Sequence, residues 1–226
     1  MLVVSKINPD LLNILEDFST FFFNRDFSHL ESMIGSNKKM KKVSIKEMAE
    51  EATSSAYLEK ALESPPLEYG FPRHSWGLEL VHDKEYIDDV ELIGASRKTN
   101  DKLLDFFGAR NNALQMYYPS GGYIGWHTNC NAKGYNIVIS CNPGGDGYFV
   151  HYDHKTKKYN YFYDNPGWNI KAGYFGSDKE PDKMYWHAAK TNTPRITLSY
   201  IIYDKNIWED MMDDIETDKD FKSEDL

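Results

Sequence analysis

Residues 111–127, with the sequence NNALQMYYPSGGYIGWH, decide the fold of this chain. Two apolar and aromatic runs, at 113–118 and 123–127, have the composition of β-strands, and they are separated by the turn-forming residues PSGG. The second run ends in a histidine, His127. The pattern therefore predicts two strands that deliver a histidine to the end of a sheet.

Strand character continues from this stretch towards both ends of the chain. Residues 76–82 alternate like a strand, and six further short strands are predicted downstream, at 135–141, 148–152, 159–163, 169–175, 184–187 and 195–203. Residues 144–147, GGDG, predict a turn between two of them. Eight short strands from residue 113 onward, behind helices, predict an α+β, mainly β protein: a double-stranded β-helix, or jelly roll, with the N-terminal helices packed on one sheet.

The first third of the chain is predicted to be helical. Asn8-Pro9 is a good cap and first-turn pair for a first helix that stops at Gly35, and Ser44 with Glu47 forms a capping box for a second helix to about residue 62. A later helix is predicted at 101–107, capped by Asn100. At 226 residues, one domain is the default: residues 1–206, including a helical part at 1–64, followed by an acidic tail at 207–226.

Charge and composition limit the partners. The net charge is −9, of which the segment 207–226 holds −7, so the body is nearly neutral and nucleic acid is not favoured. The lysines at 38, 39, 41 and 42 have no interleaved aromatic residues and indicate a solvated loop. The sequence has no membrane-length apolar run and no signal-peptide pattern, so we predict a cytoplasmic protein. Cys130 and Cys141 are predicted to stay reduced.

Two histidines and an arginine indicate a mononuclear iron site with an anionic co-substrate. His127 and His187 end predicted strands, and Arg195 lies in the later strand-like run RITLSYIIY. Such sites use two histidines and one carboxylate, which leaves positions open on the metal. The carboxylate is expected two residues after the first histidine, where this chain has Asn129.

One literal His-x-Asp motif competes with this assignment. His151 and Asp153 lie 36 residues or fewer before His187, which is too short for the strands that normally intervene. They also lie beside a lysine-rich turn. A surface strand with outward polar residues is therefore the favoured interpretation of this motif.

The motifs as a set resemble the 2-oxoglutarate- and iron(II)-dependent oxygenases, in particular the AlkB-like demethylases and the prolyl-4-hydroxylase-like enzymes. The resemblance covers about residues 111–203: a "Y..G..I..H.D" approach with Tyr118 and Gly121, a following NIVISC…GGDGYF hairpin, and an "L.pGd" turn at 170–173. It implies Fe(II) and 2-oxoglutarate as cofactors. The implied metal ligands are His127, Asn129 and His187, and the implied co-substrate contacts are Tyr118, Arg195 and Thr197.

Asn129 keeps several functions open, because a neutral amide binds iron(II) more weakly than a carboxylate. The protein could be active with an asparagine or water ligand, it could be a non-catalytic binding or structural module that kept the fold, or the carboxylate could come from elsewhere. For an oxygenase, the substrate could be a protein side chain, a small molecule or a nucleobase. The sequence does not indicate an oligomeric state.

Overall fold

The computed structural model describes residues 1–36, 44–63, 70, 72–80 and 89–215. Its helices are α1 (Pro9–Phe23), α2 (Ser28–Ser36), α3 (Ile45–Ala52), α4 (Ser55–Glu63), α5 (Val90–Phe107) and α6 (Lys205–Asp214), with a short 3₁₀ turn at Pro181–Lys183. Its strands are β1 (Leu2–Val4), β2 (Ser75–Trp76), β3 (Leu78–Glu79), β4 (Asn111–Tyr118), β5 (Tyr123–His127), β6 (Gly134–Asn142), β7 (Gly147–Asp153), β8 (Lys158–Tyr163), β9 (Gly167–Phe175), β10 (Trp186–Thr191) and β11 (Arg195–Ile202).

The strands form two antiparallel sheets. One has six strands in the order β1-β9-β6-β11-β4-β3, and the other has five in the order β2-β5-β10-β7-β8. Successive strands mostly alternate between the sheets, so the chain crosses from one sheet to the other at most turns. An apolar cluster that includes Met116, Tyr118, Ile124, Phe149 and Phe175 is shared by strands of both sheets and forms the filling between them.

The strand predictions are largely confirmed, with three corrections. Of the predicted strand at 76–82, residues 81 and 82 lie outside the described residues, and the described part is two short strands, because β2 pairs with β5 of one sheet and β3 pairs with β4 of the other. The predicted hairpin after NIVISC is wrong, since β6 and β7 belong to different sheets. Residues 170–173 resemble a turn motif, but they lie within β9 and pair with β6, as the predicted strand at 169–175 requires. β1, which pairs with β9, was not predicted.

Helices cover both sheets, so the prediction of helices on one sheet is wrong. Side chains of α1, α2 and α5 pack with Tyr117, Ile137 and Leu198 on the outer face of the six-stranded sheet. Leu58 of α4 packs with Trp126 and Trp186 on the outer face of the five-stranded sheet. Both tryptophans therefore face away from the space between the two sheets.

Local capping signals mark the start of two helices and the end of a third. The Asn8 cap, the Ser44–Glu47 capping box and the left-handed Gly108 terminus are all present. The two predicted N-terminal helices are each divided in two, at 24–27 and 53–54. The prediction for the later helix is wrong at its start, because α5 begins at Val90 with Asp89 as its cap, and Asn100 lies inside it.

The acidic C-terminal segment begins as a packed helix. α6 spans the predicted boundary between residues 206 and 207, and Met211 and Ile215 are buried in the main core. The remainder of that segment and the lysines at 38–42 lie outside the described residues. None of the described helices is long and apolar enough to cross a membrane. Cys130 and Cys141 are both free.

We expect the aromatic contact between α1 and the six-stranded sheet to contribute strongly to the free energy of unfolding. Phe22 is fully buried, and its ring lies 4.7 Å from Phe27 and 5.3 Å from Tyr117. We expect Phe22→Ala to lower the free energy of unfolding by about 3–5 kcal/mol, because it removes a large side chain and leaves a cavity. Chemical denaturation tests this, with the exposed Val90→Ala as the control; equal unfolding free energies for the two variants would contradict it.

Candidate active site

A β-bulge turns His127 into the space between the sheets. In the pairing of β5 with β10, Ile124 lies opposite Ala189 and His127 opposite His187, so β5 has one extra residue between these pairs. Ile124 and His127 therefore face the same side. Gly125 occupies the bulge, where a Cβ atom would lie 3.0 Å from the carbonyl oxygen of His74. A small residue at this position thus helps to orient the histidine.

His127 and His187 form a close, oriented pair. Their ring centroids are 4.1 Å apart and both residues are buried. Each Nδ1 lies 2.8 Å from a backbone carbonyl oxygen, that of Gly125 for His127 and that of Tyr185 for His187. Since a carbonyl can only accept, each Nδ1 carries the proton and each Nε2 carries the lone pair that a metal ion requires.

The environment of His187 favours its neutral form. Burial, and next the neighbouring His127, hold the pKa of His187 well below its usual value. Two aromatic rings contact this imidazole, with the Phe149 and Phe175 centroids at 5.4 and 5.1 Å. A neutral imidazole in an apolar surrounding is the form in which histidine binds metals.

Asn129 lines the same cavity as the two histidines. The cavity has a volume of about 80 Å³ and is formed by residues of both sheets: Ala113, Leu114, Tyr118, Ile124, His127, Asn129, Val138, Phe149, Phe175, His187, Ala189, Arg195, Thr197 and Ser199. Asn129 is the second residue after β5 and is partly exposed. Its backbone oxygen accepts a hydrogen bond from the Ala132 amide, which anchors the loop.

The six residues named from the sequence thus line one cavity. Arg195 begins β11 and lies directly opposite Tyr118 of β4, and Thr197 follows on the same face. All three are buried. Burial raises the pKa of Tyr118, so its phenol stays protonated at neutral pH. The Thr197 hydroxyl is buried without a hydrogen-bond partner in the described part of the chain.

Two charged residues beside Arg195 were missed by sequence reasoning. Asp164, which follows β8, lies 3.2 Å from the Nε atom of Arg195 and 3.4 Å from the Nζ atom of Lys171 on β9. Both partners of each pair are almost completely buried. The available signal was Lys171 itself, a lysine between Ile170 and Ala172 in a strand predicted to be apolar.

The favoured interpretation of His151 as an outward surface residue is wrong. In the pairing of β7 with β10, His151 lies directly opposite His187 and therefore on the same inner face. Its ring stacks on Tyr185 with centroids 3.8 Å apart, and burial lowers its pKa to about 4. Asp153, in contrast, binds Thr156 and the Lys155 amide in the next turn.

The donor set suits a divalent metal only in part. His127 and His187 supply two imidazoles of fixed tautomer, and Asn129 offers an amide oxygen at the cavity wall. Within the described residues, no group of three His, Cys, Asp or Glu side chains is arranged to hold a metal ion. The site therefore has two suitable metal ligands, but its third donor position lacks the expected carboxylate.

Comparisons with known proteins give limited information. No protein-family model and no curated protein matches the chain. Among solved structures, the chain is similar to a Pseudomonas putida prolyl-4-hydroxylase, with 13% identity, a TM-score of 0.33, and coverage of 71% of this chain and 86% of that one. It is also similar to a Trichoplax adhaerens prolyl hydroxylase in complex with a peptide of the hypoxia inducible factor oxygen degradation domain, with 12% identity, a TM-score of 0.37, and coverage of 79% and 90%.

A third similar structure is an oxidoreductase of the 2OG-Fe(II) oxygenase family from Burkholderia pseudomallei, with 13% identity, a TM-score of 0.33, and coverage of 73% and 93%. These neighbours are all 2OG-Fe(II) oxygenases or prolyl hydroxylases.

Proposed function

We propose that this protein is a 2-oxoglutarate- and iron(II)-dependent dioxygenase with a double-stranded β-helix fold, which hydroxylates or demethylates an unidentified substrate. The observation that carries the proposal is the shared cavity. His127 and His187 lie side by side in it with fixed tautomers, and Arg195 lies on its wall opposite Tyr118.

Six residues of the cavity have a role in this proposal. His127 and His187 would hold iron(II) through Nε2, and the Asn129 amide oxygen would be the third protein donor. Bound iron(II) with 2-oxoglutarate would supply the oxidising chemistry. Arg195 would pair with a carboxylate of 2-oxoglutarate through its planar fork, and the Thr197 and Tyr118 hydroxyls would add hydrogen bonds.

The apolar wall would keep water away from the reacting centre. Ile124, Phe149 and Phe175 line the cavity around the histidines. Exclusion of water strengthens the interaction between Arg195 and a carboxylate, because charges attract more strongly in a medium of low dielectric. The cytoplasmic location remains a prediction, and the weak third ligand leaves a catalytically impaired binding module as the alternative.

We expect the purified protein to release succinate and CO₂ from 2-oxoglutarate in the presence of iron(II), ascorbate and oxygen, even without its substrate. The rate should fall to background in His187→Ala, which loses a metal donor. Lys190→Met, on the same strand but facing outward, is the control. Absence of turnover with retained binding of 2-oxoglutarate would favour the binding module, and absence of both would contradict the proposal.

A further inference from the structure

A buried cluster of three charges adjoins the cavity. The Asp164 carboxylate lies between Arg195 and Lys171, with one oxygen 3.2 Å from the Arg195 Nε atom and the other 3.4 Å from the Lys171 Nζ atom. The side chain of Asp164 is fully buried, and those of Arg195 and Lys171 are 2% and 3% exposed. Ser140 adds a hydroxyl at 3.5 Å from the same carboxylate.

The position of Lys171 directs it towards the cavity. Across three neighbouring strands, Lys171 of β9 lies opposite Val138 of β6, which lies opposite Ser199 of β11. Directly opposite residues in antiparallel strands share a face of the sheet. Val138 and Ser199 both line the cavity. Lys171 is therefore the next member of a row that points into the space between the sheets.

The cluster has an excess of positive charge. Arg195 and Lys171 bring two cations and Asp164 one anion. A buried charge without a partner is costly, so an unbalanced cluster of this kind favours a bound anion. The Arg195 Nε atom and the facing Asp164 oxygen are close but form no aligned hydrogen bond, so the internal pair is imperfect.

The excess charge persists at neutral pH. Burial, and next the charge of Arg195, lower the pKa of Lys171 to about 8, while Asp164 raises it. Lysine with that pKa is still mostly protonated at pH 7. The residues opposite Lys171 on the two flanking strands, Val3 of β1 and Val138 of β6, do not titrate. Asp164 and Arg195 are thus the charged groups that face it.

We propose that Lys171 is a second cation of the co-substrate pocket, and that Asp164 is a positioning residue that holds Lys171 and Arg195 together, so that the cluster presents one net positive charge to one carboxylate. This inference rests on the proposed function. It assigns the affinity for a dicarboxylate to two cations rather than to Arg195 alone. It also gives Asp164 a second role, because its negative charge reduces the net charge of the unliganded cluster from two positive charges to one.

Titration calorimetry of 2-oxoglutarate into the Mn(II)-loaded protein tests the role of Lys171. We expect Lys171→Met to weaken binding by about tenfold or more, because it removes one charge-assisted interaction. Lys171→Arg should bind within about threefold of the wild type, since it keeps the charge. Lys190→Met is the control, because Lys190 faces outward from β10 towards Glu50. This variant should bind 2-oxoglutarate like the wild type.

The pH dependence of 2-oxoglutarate binding to the wild-type protein is a second test. It does not require the Lys171→Met variant to fold. As the pH rises through 8, Lys171 loses its proton, so the affinity for 2-oxoglutarate should fall between pH 7 and 9. The fall should be absent in Lys171→Arg. Asp164→Asn should melt at a lower temperature than the wild type but show a larger thermal shift on addition of 2-oxoglutarate, because an internal competitor for both cations is removed.

The possible outcomes separate the inference from the proposed function. If the wild type binds 2-oxoglutarate and Lys171→Met binds equally well, or the pH dependence is the same in Lys171→Arg, the cluster is only structural and the inference is wrong. If the wild type does not bind 2-oxoglutarate at any pH, the proposed function is wrong and the inference falls with it.

Discussion

Asn129→Asp should tighten the binding of Mn(II) by about 100-fold or more. Replacement of residues that merely contact metal ligands typically changes affinity by about 10–100-fold, and a direct anionic ligand should act at least as strongly. Asn129 already lines the cavity of His127 and His187, so the new carboxylate would lie at the wall of that cavity. Calorimetric titration of the apo protein with Mn(II) measures the effect.

Asn131→Asp is the matched control for this change. Asn131 is exposed in the same loop and is not part of the cavity wall, so its replacement adds the same charge without adding a ligand. We expect its Mn(II) affinity to stay within about threefold of the wild type, because an exposed charge is screened by solvent and salt. Equal gains in the two variants would mean that Asn129 acts only through its charge and is not a metal ligand.

Arg195→Met should weaken the binding of 2-oxoglutarate by about 100-fold or more. Two charge-assisted hydrogen bonds from the guanidinium fork would be lost, and each such bond contributes about 1.5–3 kcal/mol. Arg195→Lys should lose less, since lysine keeps the charge but not the fork. Calorimetry with the Mn(II)-loaded proteins measures both affinities.

The metal site provides the internal control for the arginine variants. Because Arg195 is not among the proposed metal donors, its variants should bind Mn(II) as the wild type does. Loss of Mn(II) binding together with 2-oxoglutarate binding would indicate a general collapse of the cavity. Unchanged 2-oxoglutarate affinity in Arg195→Met would show that Arg195 serves only its buried pair with Asp164.

Local sequence signals predicted most of the strands and several helix ends. The two apolar and aromatic runs in residues 111–127 and the Ser44 capping box depend on neighbouring residues, so they can be read from one sequence. The start of α5 was missed although Asp89 caps it locally, because Gly94 lowers the helix propensity of the residues that follow. The division of the region before α5 into β2 and β3 depends on which sheet each strand joins.

The candidate site was predictable only where a motif repeats a known spacing. His127, His187 and Arg195 were named from such a pattern. The bulge that orients His127 depends on pairing with β10, and the inward position of His151 depends on the register of β7 with the same strand. Asp164 and Lys171 meet Arg195 through long-range topology, which brings β9 and the segment after β8 to one end of β11. No local sequence pattern predicts that these three residues lie close together.

The most direct test of the proposed function is a sequential titration of the apo protein, first with Mn(II) and then with 2-oxoglutarate. We expect one Mn(II) ion per chain in the wild type, followed by one 2-oxoglutarate that binds only when the metal is present. His127→Ala and His187→Ala should lose both events. A wild type that binds neither, or a His187→Ala variant that binds Mn(II) as tightly as the wild type, would contradict the account.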